Sequence, residues 1–109
     1  MKRAIYPGTF DPFTLGHQDI LLRALQIFEE VTILLAVSPT KKPLIPSEDR
    51  KMILEKIFSE KELKKKFQVM GKVRVDCFDG LVVDYAKKNK ISHIVRGLRP
   101  TGDFELEFQ

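Results

Sequence analysis

The segment Val31-Thr32-Ile33-Leu34-Leu35-Ala36-Val37 constrains this chain more than any other. A strand with one face in water alternates polar and apolar residues; an unbroken aliphatic and β-branched run marks a strand covered on both faces. The flanking patterns supply the cover. Ala4-Ile5-Tyr6 is a short apolar run halted by Pro7-Gly8, which reads as a strand entering a tight loop. From Gly16 to Glu30 the period turns helical, with Asp19, Arg23, Gln26 and Glu30 on one stripe and Leu21, Leu25 and Phe28 opposite. After Ser38-Pro39 comes a loop through Lys41, Lys42, Pro43 and Pro46. A helix starting near Ser47, with Glu48 and Asp49 behind it, then carries Met52, Ile53, Ile57 and Phe58. A second charged segment reaches about Phe67. Val73 to Phe78 alternates as a third strand. Asp79-Gly80 leads into a helix with Leu81, Val82, Tyr85 and Ala86, ending near Asn89, and Ile94-Val95 reads as a fourth, buried strand before Arg96-Gly97. Strands and helices in strict alternation predict an α/β chain, a parallel sheet with helices on both faces.

Composition narrows the function classes. At 109 residues the chain is one domain at most, and 43% hydrophobic with 31% charged residues fits a soluble globular protein. A net charge of +4 suits the handling of phosphates without demanding a polyanionic partner. Much of the excess sits in Lys61, Lys64, Lys65 and Lys66, a pattern typical of a solvated helix face, so no nucleic-acid partner is expected. Cys77 is the single cysteine, which excludes an intrachain disulfide and fits a reducing compartment; between Val75 and Phe78 it reads as a packed thiol. The longest apolar run, Ile33 to Val37, is far too short to span a bilayer, and the first apolar stretch breaks at Pro7-Gly8, too soon for a signal peptide. The expected location is the cytoplasm.

The most informative stretch for chemistry is Tyr6-Pro7-Gly8-Thr9-Phe10-Asp11-Pro12-Phe13-Thr14-Leu15-Gly16-His17, between the first strand and the first helix. In open parallel sheets ligands bind there, beyond the carboxyl ends of the strands. Gly8 allows close backbone approach or a positive φ. Gly16 gives the same freedom beside a helix N-terminus, where unpaired N–H groups and the dipole favour phosphate. His17 falls in the first turn, where an imidazole can donate to a phosphate oxygen and offset charge that grows during phosphoryl transfer. No Gly-x-x-x-x-Gly-Lys occurs, so the chain is not a P-loop protein.

Thr14-Leu15-Gly16-His17 matches the (His/Thr)-x-Gly-His signature of the nucleotidyltransferase superfamily, and Tyr6-Pro7-Gly8-Thr9-Phe10-Asp11-Pro12 resembles its phosphopantetheine adenylyltransferase branch. Ser38-Pro39-Thr40-Lys41-Lys42-Pro43 after the second strand, and Arg96-Gly97-Leu98-Arg99 followed by Asp103-Phe104-Glu105-x-Glu107 after the fourth, extend the resemblance over the whole chain. It implies a Rossmann-like doubly wound parallel sheet of about four strands. It also implies transfer of the adenylyl group of ATP to 4′-phosphopantetheine, giving dephospho-coenzyme A and pyrophosphate. The phosphate nucleophile is ionised at neutral pH and needs no general base, so positioning and charge stabilisation are what the protein must supply.

By the same resemblance, Thr9 contacts phosphate groups of both substrates and the backbone of Phe10 lies against the nucleotide. His17 contacts the α-phosphate, and Lys41, rather than Lys42, holds the phosphate of phosphopantetheine and helps stabilise the transition state, which makes His17, Lys41 and Thr9 the catalytic candidates. Arg96 binds phosphopantetheine, with Leu81 and Val82 along the pantetheine arm; Gly97, Leu98, Arg99 and Glu107 contact ATP. Asp11 would orient the loop and Asp103 would pair with an arginine or cap the final helix. Mg²⁺ is expected to arrive with ATP, held by phosphates and water. The resemblance further implies a homohexameric parent protein. The family's Ile-Ser-Ser-(Ser/Thr) phosphate-gripping motif does not occur in the 109 residues, and a final helical pattern from Asp103 stops within its second turn. Residues 1–109 are therefore expected to be a single nucleotidyltransferase domain lacking a C-terminal part, impaired on its own. Pro100-Thr101-Gly102 departs from the commoner Ala-Val sequence, and 59–72 is longer than in many members. The alternatives are another nucleotidyltransferase, specific for cytidylyl or nicotinamide-nucleotide chemistry; a non-catalytic nucleotide-binding module; and a basic nucleic-acid binder.

Overall fold

The computed structural model describes residues 2–37 and 46–96. Its elements are β1 (Arg3–Gly8), α1 (Leu15–Ala24), β2 (Glu30–Ala36), α2 (Ser47–Ile57), α3 (Glu60–Lys66), β3 (Lys72–Phe78), α4 (Val82–Lys88) and β4 (His93–Ile94). The strands form one sheet in the order β3-β2-β1-β4, and all neighbouring pairs run parallel. This is the parallel sheet that the alternating pattern predicts, in the Rossmann-like doubly wound form that the resemblance implies.

Parity along β2 explains how both its faces are buried. Val31, Ile33 and Leu35 point into a cluster with Leu21 and Ala24 of α1, Leu54 of α2, Leu63 of α3 and Val75 of β3. Leu34 points the other way, into a cluster with Ile5 of β1, Tyr85 of α4 and Ile91. Thus α1, α2 and α3 cover one face and α4 the other. Each fully buried Leu or Ile contributes about 1.5–3 kcal/mol by leaving water.

The connections fix where a ligand can sit. From β1 the chain steps to β2 and on to β3, then α4 carries it back across the sheet to place β4 on the far side of β1. The direction of winding therefore reverses between β1 and β4. In open parallel sheets, the loops at such a reversal are where ligands bind.

Three elements differ from the sequence expectation. The helical pattern of 16–30 divides: α1 stops at Ala24, and the N–H groups of Ile27 and Phe28 turn back onto the Ala24 carbonyl at 3.0 and 2.8 Å. Glu30 opens β2 opposite Arg3, because strand pairing claims it before the helix can. In α2 the buried residues are Arg50 and Leu54, with Phe58 just beyond, while Met52, Ile53 and Ile57 stand exposed. The stripe facing the sheet thus runs at intervals of four from an arginine. Finally, β4 is His93–Ile94 and Ile94 is 44% exposed, not buried. The reason is position: β4 is the edge of the described sheet, covered by a neighbour on one side only. Val95 continues its ladder, donating to the Ile5 carbonyl at 2.8 Å.

Other readings fit. Lys61, Lys64, Lys65 and Lys66 are exposed on or beside solvent in α3. Cys77 is half-buried, and burial pushes its thiol above the usual range, so it is a packed rather than a reactive thiol.

Candidate active site at the carboxyl end of β1

The loop after β1 is set by one glycine and one strained phenylalanine. A Cβ on Gly8 would lie 2.8 Å from the Phe10 ring, so close approach is what demands glycine there. The positive φ falls on Phe10 instead, at 47°. A bulky residue in that region costs about 1–3 kcal/mol and persists only where its surroundings impose it. Burial of the Phe10 ring offsets the cost: it is 4% exposed, with the rings of Tyr6 at 5.0 Å, His17 at 4.9 Å and Phe13 at 5.3 Å. Only the Phe10 backbone is left to face a ligand. Thr9 beside it is exposed, and its carbonyl accepts a hydrogen bond from Nη1 of Arg50.

Thr14 caps α1. Its Oγ1 accepts the His17 N–H at 3.3 Å, and its own N–H donates to His17 Nδ1 at 2.9 Å. Glu or Gln usually completes this reciprocal pair; here the imidazole does. A ring nitrogen that accepts from an N–H must carry its lone pair, so the proton of the neutral ring resides on Nε2. Partial burial lowers the His17 pKa below 6.5. At neutral pH the ring is therefore uncharged, and its Nε2–H is a fixed donor at the N-terminal turn of α1. The backbone N–H groups of Leu15 and Gly16, in the same turn, have no acceptor within the helix.

Gly16 is not required by the fold. An added Cβ would meet only Thr14 Oγ1 at 3.6 Å, an ordinary contact. Nothing among the described atoms requires glycine at this position.

Other sequence-derived candidates follow the same edge of the sheet. Arg96 follows β4, the strand that pairs with β1, and is exposed. Leu81 N-caps α4 at 69% exposure, and Val82 packs partly against the Ile5–Leu34–Tyr85 cluster. Both follow β3, two strands from β1, or roughly 10 Å by strand spacing. Thr9, Phe10 and His17 thus follow β1 and Arg96 follows its neighbour β4, while Leu81 and Val82 follow β3. Lys41, Lys42, Gly97, Leu98, Arg99, Asp103 and Glu107 lie outside the described residues.

Two residues of the site escape the motif reading. Thr14 is visible as part of a signature, but its capping of His17 requires the helix start to be known. Arg50 carries a signal only in retrospect, as the first member of the stripe Arg50–Leu54–Phe58. Among the described residues, no three His, Cys, Asp or Glu side chains converge as a metal site would need. Nor is any helix there long and apolar enough to cross a membrane. An open depression of about 410 Å³ between α2 and β3 is lined by Lys51, Glu55, Arg74 and Asp76. Its mixed charge favours no ligand class, and it lies away from the loop.

A parallel sheet reversing beside an anion-receptive helix start is the architecture of a nucleotide-handling protein. The cytidylyltransferase-like family profile matches residues 5–109, and the chain belongs to that family. Curated proteins named phosphopantetheine adenylyltransferase are similar to this chain. The protein of that name from Heliobacterium modesticaldum is 44% identical over 109 residues, covering 100% of this chain and 60% of the relative. That from Flavobacterium johnsoniae is 42% identical over 107 residues, covering 98% and 64%. That from Dictyoglomus thermophilum is 43% identical over 109 residues, covering 100% and 61%. The chain thus spans about three fifths of the length of the curated relatives it matches.

Proposed function

We propose that these residues form the larger part of an enzyme that transfers the adenylyl group of ATP to 4′-phosphopantetheine. A phosphate oxygen of phosphopantetheine attacks the α-phosphorus. The new O–P bond forms as the bond to the bridging oxygen breaks, and pyrophosphate leaves with that electron pair. The products are dephospho-coenzyme A and pyrophosphate. The proposed roles follow from position. His17 Nε2–H donates to an α-phosphate oxygen, where charge grows as the bonds exchange. The Thr9 side chain and the Phe10 N–H bind phosphate, and Arg96 receives the second anionic substrate, whose arm runs toward Leu81 and Val82. We assign Lys41 to the phosphopantetheine phosphate and Gly97, Leu98, Arg99 and Glu107 to ATP, on the motif resemblance alone. Mg²⁺ enters as part of the nucleotide substrate, held by phosphates and water. A homohexameric parent protein in the cytoplasm completes the proposal. Residues 1–109, taken as a single nucleotidyltransferase domain, are expected to turn over poorly without the remaining length of the relatives.

One observation carries this reading: Thr14 occupies Nδ1 of a neutral His17 and so dedicates Nε2–H to an acceptor at the helix start. No general base is needed, since the attacking phosphate is already ionised. The test is pyrophosphate release from ATP and phosphopantetheine, using a version extended to the length of the relatives. His17→Ala should lower turnover roughly a hundred- to a thousandfold, as removal of such a donor commonly does. Undiminished turnover overturns the assignment. Preference for glycerol phosphate or nicotinamide mononucleotide as acceptor would overturn the substrate.

A further inference from the structure

Arg50 is 5% exposed and sits on the inner stripe of α2, one helical turn before Leu54. That stripe faces the cluster of Val75, Phe58 and Leu63, where an aliphatic side chain would pack without cost. A buried guanidinium loses its hydration and is seldom retained without a specific partner. No described carboxylate lies within ion-pair distance of Arg50, and its buried Nε has no acceptor among the described residues. What its Nη1 does reach is the carbonyl of Thr9, the first residue of the loop after β1.

We infer that Arg50 is a positioning residue for the anion-binding loop: by holding the Thr9 carbonyl inward it turns the Phe10 N–H outward, toward the phosphate-binding crevice. The geometry follows from the peptide unit. The Thr9–Phe10 bond is trans, since the cis bond of this loop is Asp11–Pro12. In a planar trans peptide the C=O and N–H point in opposite directions. Fixing one fixes the other. Phe10 also sits at φ 47°, a conformation that a phenylalanine leaves readily unless its neighbours oppose it. The buried ring restrains one side of that residue and Arg50 restrains the peptide before it. The guanidinium suits the task, being permanently charged and planar. It touches no reacting atom; it acts through the loop. This role rests on the proposed adenylyl transfer, in which the Phe10 N–H is a phosphate donor.

The test takes a ¹⁵N-labelled version extended to the length of the relatives and compares it with its Arg50→Lys and Arg50→Met variants, each first shown to be folded at the temperature used. In the ligand-free chain the Phe10 amide signal should move in R50M and less far in R50K, which retains a donor. ATP affinity, followed by titration, should fall at least tenfold in R50M and by an intermediate factor in R50K. A merely structural arginine would lower the unfolding midpoint while leaving the folded state's Phe10 signal and ATP affinity at wild-type values; that result overturns the inference. Should R50M fail to fold, R50K decides alone. A displaced Phe10 amide with weakened ATP binding supports the role, and wild-type values of both refute it. If ATP moves neither Phe10 nor His17 in the unaltered chain, adenylyl transfer by this site is what fails, and the ligand-free spectra still decide whether Arg50 holds the loop.

Discussion

In the proposed transfer His17 is uncharged and a donor at once, and its two ring nitrogens divide these demands. Nδ1 is satisfied by the Thr14 N–H, so ¹⁵N spectra of the imidazole should show the Nε2–H tautomer, with a pKa below 6.5 because the ring is partly buried. The opposite tautomer would contradict the cap. The sign of the linked stability follows. Between the folded value and 6.5 the unfolded chain binds the proton more readily, so stability is complete above about pH 6.5 and declines as pH falls through that interval. His17→Ala should remove this acid slope. Gly16 offers a separate test at the same scale. Its Cβ position is open, and alanine is the better helix former by about 0.5–1 kcal/mol. Gly16→Ala should therefore raise the unfolding midpoint slightly while weakening ATP binding at least tenfold. Unchanged affinity would show that nothing approaches the backbone there. The motif made these two positions visible in the sequence. It could not reveal Arg50, since nothing in a linear reading distinguishes a buried arginine from one of many solvated ones.

At the scale of elements, α4 is fastened to β3 by a pair that titrates. Tyr85 is buried, and its hydroxyl donates to Asp76 Oδ2 at 2.8 Å, while Asp76 Oδ1 accepts the Cys77 N–H at 2.9 Å. Burial first, and the Asp76 carboxylate second, push the Tyr85 pKa up to about 12 from 10.0. The folded chain thus keeps a proton that the unfolded chain releases, so the contribution is complete below about pH 10 and is lost as pH rises toward about 12. Tyr85→Phe should lower stability by about 1.5–3 kcal/mol near neutrality, as for other hydrogen bonds to charged groups, and should flatten that part of the alkaline decline. Denaturant midpoints between pH 8 and pH 12, compared with the unaltered chain, read both effects. An alkaline slope identical in the variant would refute the bond. The elements themselves were legible where one period ruled, as in Val31 to Val37. They blurred where two structures competed for the same residues. The pattern Asp19–Arg23–Gln26–Glu30 satisfies a helix, yet only the Asp19–Arg23 pair, 3.1 Å apart and exposed, belongs to one. Glu30 instead pairs with Arg3 across the sheet. Met52, Ile53 and Ile57 misled for a related reason, since an apolar residue carries no mark of which helix face the sheet will cover.

For the whole molecule, the alternation of strands and helices announced a parallel sheet, but strand order came only with the structure, because a run of apolar residues does not name its neighbour. That order decides how firmly the two sides of the site are joined. β1 pairs with β2 along Arg3 to Gly8, whereas its register with β4 covers only Ala4–His93 and Ile5–Ile94, extended by the Val95 N–H on the Ile5 carbonyl. Thr9 and Phe10 therefore follow a strand paired along its whole length with β2, and Arg96 follows the least-held strand. Local opening costs least where few backbone bonds and little buried surface must be given up. Amides of 93–95 should accordingly exchange with deuterium much faster than those of 31–35 in the ligand-free chain. A phosphate ligand touching both the loop and Arg96 would bind the closed arrangement preferentially, so saturating ATP with phosphopantetheine should slow exchange at 93–96, with 31–35 hardly affected. Equal protection of the two strands without ligand would contradict the topology's consequence. Slowing confined to residues 9–17 would place both substrates on the loop alone and remove Arg96 from the site.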